Sequence, residues 1–183
     1  MGKHKGDMTM IEIQTYDPKW AEQFEQIKRI LMKPLETLAL RIEHVGSTSI
    51  VGQIAKPILD MVVVIPSRQQ LPEVITVLHL LGYHYRGDLD VEGREAFGRI
   101  DSYVPWQEPQ QVWMNQHLYV CAQDNRELHR HITFRNYLRQ HPKEVEAYGQ
   151  LKQQLVQQTE DREQYTQLKT DFVEGILAKA SRS

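Results

Sequence analysis

Cysteine is almost missing from this 183-residue chain: Cys121 stands alone, which excludes an intramolecular disulfide and leaves no basis for a cysteine-based zinc site. Such usage fits a reducing cytosol, and the expected location is cytoplasmic. Long apolar runs are lacking too. No stretch reaches the roughly 18 residues that mark a membrane span, and the first residues have no apolar centre of the signal-peptide kind. No membrane role is expected. Neither sign of charge is in excess, with 22 Lys and Arg against 24 Asp and Glu and a formal net charge of −2. Proteins dedicated to duplex nucleic acid normally carry a basic surplus, so there is no clear nucleic-acid signature beyond the room for a local basic patch. Internal repeats and low-complexity segments are absent as well.

What is present amounts to one domain, long enough to bury a full core. Residues 1–10 read as a polar, mobile leader, and residues 11–183 as a single domain. Asp17-Pro18 is a helix start, a capping carboxylate with proline in the first turn. Trp20, Phe24, Ile27, Leu31, Leu35 and Leu38 follow at helical steps, with an interruption expected near Pro34. Residues 41–45 and 57–65 read as strands, the second almost wholly apolar and therefore placed inside a sheet. Residues 71–81 read as a helix ending at Gly82, residues 83–86 as a short strand, and residues 96–104 and 111–121 as two further strands. From Arg126 onward the pattern is helical, broken at His141-Pro142 and near Asp161. The fold class is α+β: a mixed sheet over about 41–121 with flanking helices, and a helical C-terminal third over about 126–180.

Chemistry concentrates in the run IEHVGSTSIVGQIAKPILDMVVVI. Gly46 permits a tight turn and the close approach of a bulky anion, while Ser47, Thr48 and Ser49 offer hydroxyls and amides to phosphate oxygens. Asp60, at the head of the following strand, supplies a hard oxygen ligand suited to Mg²⁺ beside that phosphate. The competing reading is an ordinary polar turn and a strand-edge carboxylate in a cap or ion pair. Lys56 reaches either a phosphate or solvent.

Several motifs in order, Glu43-His44-Val45-Gly46-Ser47-Thr48-Ser49, Lys56-Pro57-Ile58-Leu59-Asp60, His117-Leu118-Tyr119-Val120, the Phe134 to Pro142 segment and Tyr148-Gly149-Gln150-Leu151-Lys152, resemble the GrpB family of nucleotidyltransferase-like proteins. That family resembles in turn the superfamily of DNA polymerase beta. The resemblance runs from Trp20 to Phe172 and implies a nucleotidyltransferase-like sheet. It also implies a nucleoside triphosphate or other phosphorylated small molecule as partner, Mg²⁺ as cofactor with Asp60 as its ligand, and an acceptor that no motif defines. One departure bears on mechanism. Val62 stands where the superfamily has a second carboxylate, and alternation puts Ile58, Asp60, Val62 and Val64 on one strand face. Two-metal transfer needs bridging carboxylates, so Glu43 and Asp101 become the candidate substitutes.

On a helix through residues 128–139, Leu128, Ile132, Phe134 and Leu138 form an apolar arc that contains His131, Arg135 and Arg139. Charges within such an arc need partners. His131 and Arg135 are therefore candidates to clamp a phosphate, or, in the case of Arg135, to pair with a core carboxylate such as Asp60 or Asp101. His117 falls near the place of a third superfamily carboxylate and is the second catalytic candidate beside Asp60; its alternative is a hydrogen-bonded sheet residue. Arg94 and Arg99 flank the preceding strand. The stripe of Tyr148, Leu151, Leu155, Tyr165, Leu168, Phe172 and Ile176 reads as packing, and the Gln150 to Gln158 face as solvated surface. Three functions stay open: a Mg²⁺-dependent nucleotidyltransferase, a non-catalytic nucleotide- or phosphometabolite-binding protein of the same fold, and, least favoured, a partner-binding scaffold.

Overall fold

The structure, a computed structural model, describes residues 12–158 and 162–182, with the side chains of 158 and 162–164 left aside. The expected leader and the expected break near Asp161 lie outside the described residues. Helix α1 spans Lys19–Leu35. Asp17 accepts from the Lys19 amide at 2.9 Å, as a helix-start carboxylate does. Pro34 sits inside the last turn of α1, and Leu38 falls beyond the helix. Trp20, Phe24, Ile27, Leu31 and Leu35 make the buried stripe, as their spacing predicts.

Five strands follow among the described residues: β1 (Arg41–Val45), β2 (Ile58–Ile65), β3 (Tyr83–Tyr85), β4 (Arg94–Arg99) and β5 (Asn115–Ala122). Helix α2 (Leu71–Leu80) connects β2 to β3. Their order in the sheet is β1-β2-β5-β4-β3, with β2 and β5 parallel and all other neighbours antiparallel. The apolar β2 is interior, as its composition requires. Two strand boundaries differ from expectation by more than two residues. β4 ends at Arg99, because Asp101 accepts from the Tyr103 amide in a turn, and β5 starts only at Asn115, because residues 111–114 run as a loop whose Trp113 amide is bonded to the Ser102 carbonyl.

Strand alternation sorts β2 into two layers. Leu59, Met61, Val63 and Ile65 face α1 and α2 in the main core. Val62 and Val64 pack with Val45, Cys121 and Leu128 on the opposite face. Leu128 belongs to α3 (Arg126–Gln140), which is followed by α4 (Pro142–Gln158) and α5 (Arg162–Ala180). Phe134, Leu138, Tyr148 and Ile176 join these three helices in a separate cluster. The C-terminal stripe is buried at Tyr148, Leu155, Tyr165 and Ile176, while Leu168 is exposed. Because α1 holds its place through a single apolar stripe, Leu31→Ala should cost about 2–5 kcal/mol, read as a fall in the urea midpoint without a change in slope.

Candidate functional site

Strand register places Asp60 opposite Val45 on one side and opposite His117 on the other. Asp60 and His117 therefore share the sheet face that looks toward α3. His117 Nδ1 lies 3.0 Å from Asp60 Oδ1. With the Nδ1 proton donated to the carboxylate, the lone pair of Nε2 is left to the open side.

Beyond Val45 the chain leaves β1 at Gly46, whose φ of 71° is open to glycine and costly for other residues. The reason for glycine is Asp60. A Cβ added at Gly46 would stand 2.3 Å from Asp60 Oδ2, so the close approach expected of an anion is made by the protein's own carboxylate. The following three-residue 3-10 turn, Ser47–Ser49, divides its hydroxyls. Ser49 donates to the Gly46 carbonyl at 2.6 Å. Thr48 donates to the Ile58 carbonyl and is 2.9 Å from His44 Nε2, so its hydroxyl is spent on holding the turn. Ser47 alone of the three accepts a hydrogen bond from a cation, Lys152 Nζ at 3.0 Å.

Lys152 is buried, only 2% exposed; it donates also to the Ile54 carbonyl and lies 4.4 Å from the centre of the Tyr148 ring. Burial pushes its ammonium from the ordinary 10.5 down to about 7, with the charge of Lys169 acting in the same direction. Keeping that proton inside costs about 5 kcal/mol, at roughly 1.4 kcal/mol for each tenfold step. Burial also lowers the pKa of Lys169, against the pull of Asp60 and with the repulsion of Lys56. His131 is lowered by burial as well, and Asp60 opposes that too.

These groups line one cleft of about 380 Å³ between the sheet and the C-terminal helices. Gly46, Ser47, Thr48, Lys56, Asp60, His117 and His131 all border it, joined by Arg94, Lys152 and Lys169. Arg94 stacks 4.5 Å over Tyr119, and its Nε is buried without a partner among the described residues. A wider cavity of about 810 Å³ lies on the other side of the turn, bordered by His44, Ser49 and Arg139, and it contains neither Asp60 nor His117.

Arg135 does not border the cleft. Its Nη1 binds Glu43 Oε2 at 2.7 Å and the His44 carbonyl at 2.9 Å, a structural pair with a carboxylate other than the Asp60 or Asp101 considered from sequence. Glu43 also binds Arg41. Burial works to raise the Glu43 pKa, and Arg135 and Arg41 outweigh it, leaving the carboxyl below its ordinary range. Arg139 grips the Ser49 carbonyl through Nε and Nη2 at 3.0 and 2.7 Å. Arg99 caps the Trp113 and Met114 carbonyls. Neither carboxylate substitute borders the cleft with Asp60: Glu43 is held by two arginines, and Asp101 accepts from the Tyr103 amide and the Trp106 indole. Val62 is apolar and buried, and no group of three metal-ligating side chains occurs among the described residues. The donor set does not fit a two-metal centre.

Sequence reasoning missed Lys152 and Lys169. A signal was present: each stands four residues after a buried tyrosine, Tyr148 and Tyr165, on the apolar stripe of its helix. A lysine on such a stripe is a candidate for a buried function.

The mixed sheet, with its Gly-Ser turn before a carboxylate-bearing strand, has the fold of nucleotidyltransferases. Two solved structures of Cid1, one with its short product ApU and one described as the Cid1 poly(U) polymerase with MgGTP bound, match at TM-scores of 0.50 and 0.51. Each is 11% identical, and the match covers 75% of this chain and 40% or 42% of Cid1. The chain belongs to the GrpB family, whose profile, described as GrpB protein, matches residues 10–179. The crystal structure of the conserved protein GrpB from Enterococcus faecalis superposes at a TM-score of 0.75 with 32% identity, over 92% of this chain and 96% of that one. UPF0157 protein YqkA of Bacillus subtilis is 32% identical over 94% of this chain, which spans 48% of that protein's length. UPF0157 protein PA4798 of Pseudomonas aeruginosa is 30% identical over 95% of this chain and 69% of its own length.

Two variants separate the structural groups from the cleft groups. Gly46→Ala should lose about 1–3 kcal/mol through its positive φ and displace Asp60, seen as a shift of the His117 ring resonances. Arg135→Met should lose about 1–3 kcal/mol by removing one of the two arginines on Glu43 and the donor to the His44 carbonyl. Since the Glu43 pKa is depressed on folding, the advantage of the native protein over Arg135→Met is full above the ordinary carboxylate range and shrinks as pH falls through the folded value, measurable by denaturation across acid pH.

Proposed function

We propose that this protein binds a phosphorylated small molecule, foremost a nucleoside triphosphate, in the cleft between the sheet and helices α3 to α5. The observation that carries the reading is Lys152: a buried ammonium, held at the Ser47 hydroxyl on the rim of the cleft, with no carboxylate in ion-pair range among the described residues. Burial disfavours that proton, and an anion bound beside it would restore it. Phosphate oxygens seated on Ser47 would meet Lys152 directly, with Lys56, Lys169 and Arg94 at the walls and His131 beside them. The fold shared with nucleotidyltransferases favours a nucleotide over other phosphate esters.

Transfer of the nucleotidyl group to an acceptor hydroxyl or amine is the second reading. The placement of Asp60 and His117 side by side near the start of the parallel strands β2 and β5 favours it, since an imidazole oriented by a carboxylate is equipped to take a proton from an acceptor. Mg²⁺, part of one solved Cid1 complex, enters here as a cofactor only through the resemblance.

Calorimetric titration with each nucleoside triphosphate tests the first reading, and an assay of pyrophosphate release tests the second. Saturable binding of at least one nucleotide is expected, and heat-free titrations with all of them would sink the proposal. Between about pH 7 and pH 9 the affinity should fall by up to about tenfold per pH unit, because free Lys152 gives up its proton near 7 whereas the complexed ammonium retains it. His117, His131, Lys56, Lys169, Asp60 and the Tyr148 phenol face the same space, so the Lys152→Met variant serves as the reference. Its profile should be weaker and flatter.

A further inference from the structure

The nucleotidyltransferase fold ordinarily leads one to look for metal ions at the phosphates, and this cleft is built differently. We propose that phosphate charge here is neutralised by Lys56, Lys152 and Lys169 in place of divalent cations, and that Asp60 acts as the partner of His117 and not as a metal ligand. The inference rests on the binding reading above and specifies how that binding works.

Three observations carry it. The first concerns Asp60. Its Oδ1 is engaged by His117 Nδ1 at 3.0 Å, and its Oδ2 is turned in against the Gly46 backbone, where even a methyl group would be 2.3 Å away. The second concerns the absent bridging oxygens. Val62, on the same strand face, is packed among Val45, Val64, Cys121 and Leu128, and the nearby Glu43 is saturated by Arg41 and Arg135. A small hard cation such as Mg²⁺ is held by clustered oxygen donors, and the two carboxylates of the cleft are already committed, Asp60 to His117 and Glu127 to Arg130.

The third is the positive charge. Lys56, Lys152, Lys169 and Arg94 border the cleft, and among the described residues none has a carboxylate within ion-pair distance. Lys152 and Lys169 come from different helices, α4 and α5, and Lys56 from the segment that enters β2, so the charges approach from three sides. A divalent cation entering this space is repelled by Lys56, Lys169, Arg94 and protonated Lys152, and attracted by Asp60 and by Glu127, the latter already paired with Arg130. A polyphosphate is attracted by the same four. The sign of the field selects the anion without its metal.

The sign of the Asp60 effect gives the test. If Asp60 held a metal, its loss would weaken a Mg²⁺-dependent complex; if it is one negative charge in a lysine-lined cleft, its loss removes a repulsion from the incoming anion. Inorganic triphosphate and ATP would be titrated calorimetrically into the full chain, once with EDTA and once with excess Mg²⁺. Expected are binding in EDTA at least as tight as in Mg²⁺, a several-fold gain in affinity for Asp60→Asn, and losses of about tenfold or more for Lys152→Met and for Lys169→Met, the scale of one charge-assisted hydrogen bond. Lys56→Met, at an exposed position, should weaken binding in the same direction and guards against loss of folding in the buried variant, with circular dichroism as the check. Binding seen solely with Mg²⁺, or a Mg²⁺-dependent complex weakened by Asp60→Asn, would overturn this inference and leave the nucleotide-binding reading standing. Failure of both probes in both buffers would remove the two together.

Discussion

The contact between the Gly46 backbone and the Asp60 carboxylate sets the geometry from which the rest of the site follows. Register pairs Val45 with Asp60, so the residue that leaves β1 must pass directly over that carboxylate. A side chain there would collide with Asp60 Oδ2 at 2.3 Å, and glycine at φ 71° removes the conflict. The turn that results lifts Ser47 toward the cleft while Thr48 and Ser49 close hydrogen bonds inward, to Ile58 and Gly46. Asp60 is then fixed from two sides, by the turn and by His117.

Three cations from the helical third hold that same segment by its carbonyls. Arg135 takes His44, Arg139 takes Ser49, and Lys152 takes Ile54. Backbone carbonyls without a ladder partner need donors from elsewhere, and long cationic side chains supply them across the gap between sheet and helices. Each of the three ends differently. Arg135 is neutralised by Glu43, Arg139 rests at the edge of the wider cavity, and Lys152 turns its remaining capacity on Ser47 and the cleft. Structural bracing and a buried charge with no carboxylate partner among the described residues are thus carried by one kind of residue in one region, and only the partners tell them apart.

Membership of the GrpB family and the shared sheet place the protein among nucleotidyltransferase-fold chains, yet the carboxylates that define two-metal chemistry are reduced here to Asp60. Lys56, Arg94, Lys152 and Lys169 bring positive charge to the same cleft. Lysines and metal ions are alternative ways to neutralise phosphate, and a site rich in one has less need of the other.

Much of the fold was legible in the sequence because it depends on local periodicity. The apolar stripe of α1, the two-faced alternation of β2, the glycine at the turn and the break at His141-Pro142 are all set by neighbours in the chain. The ends of β4 and β5 were not legible, since Asp101 and Trp113 close their turns through hydrogen bonds to other loop residues that no periodicity marks. The candidate residues Gly46, Ser47, Lys56, Asp60, His117 and His131 were found as residue types and do meet in one cleft. Their partners were decided elsewhere. Arg135 and Lys152 look alike in sequence, each a cation on an apolar helix stripe; Glu43 on β1 claims the first, and nothing among the described residues claims the charge of the second. By itself the sequence determined which segments form helices and strands and which side chains must be buried together. Only the tertiary structure decided which buried charges are satisfied, because that depends on distances between residues as much as 105 positions apart, as for Ser47 and Lys152.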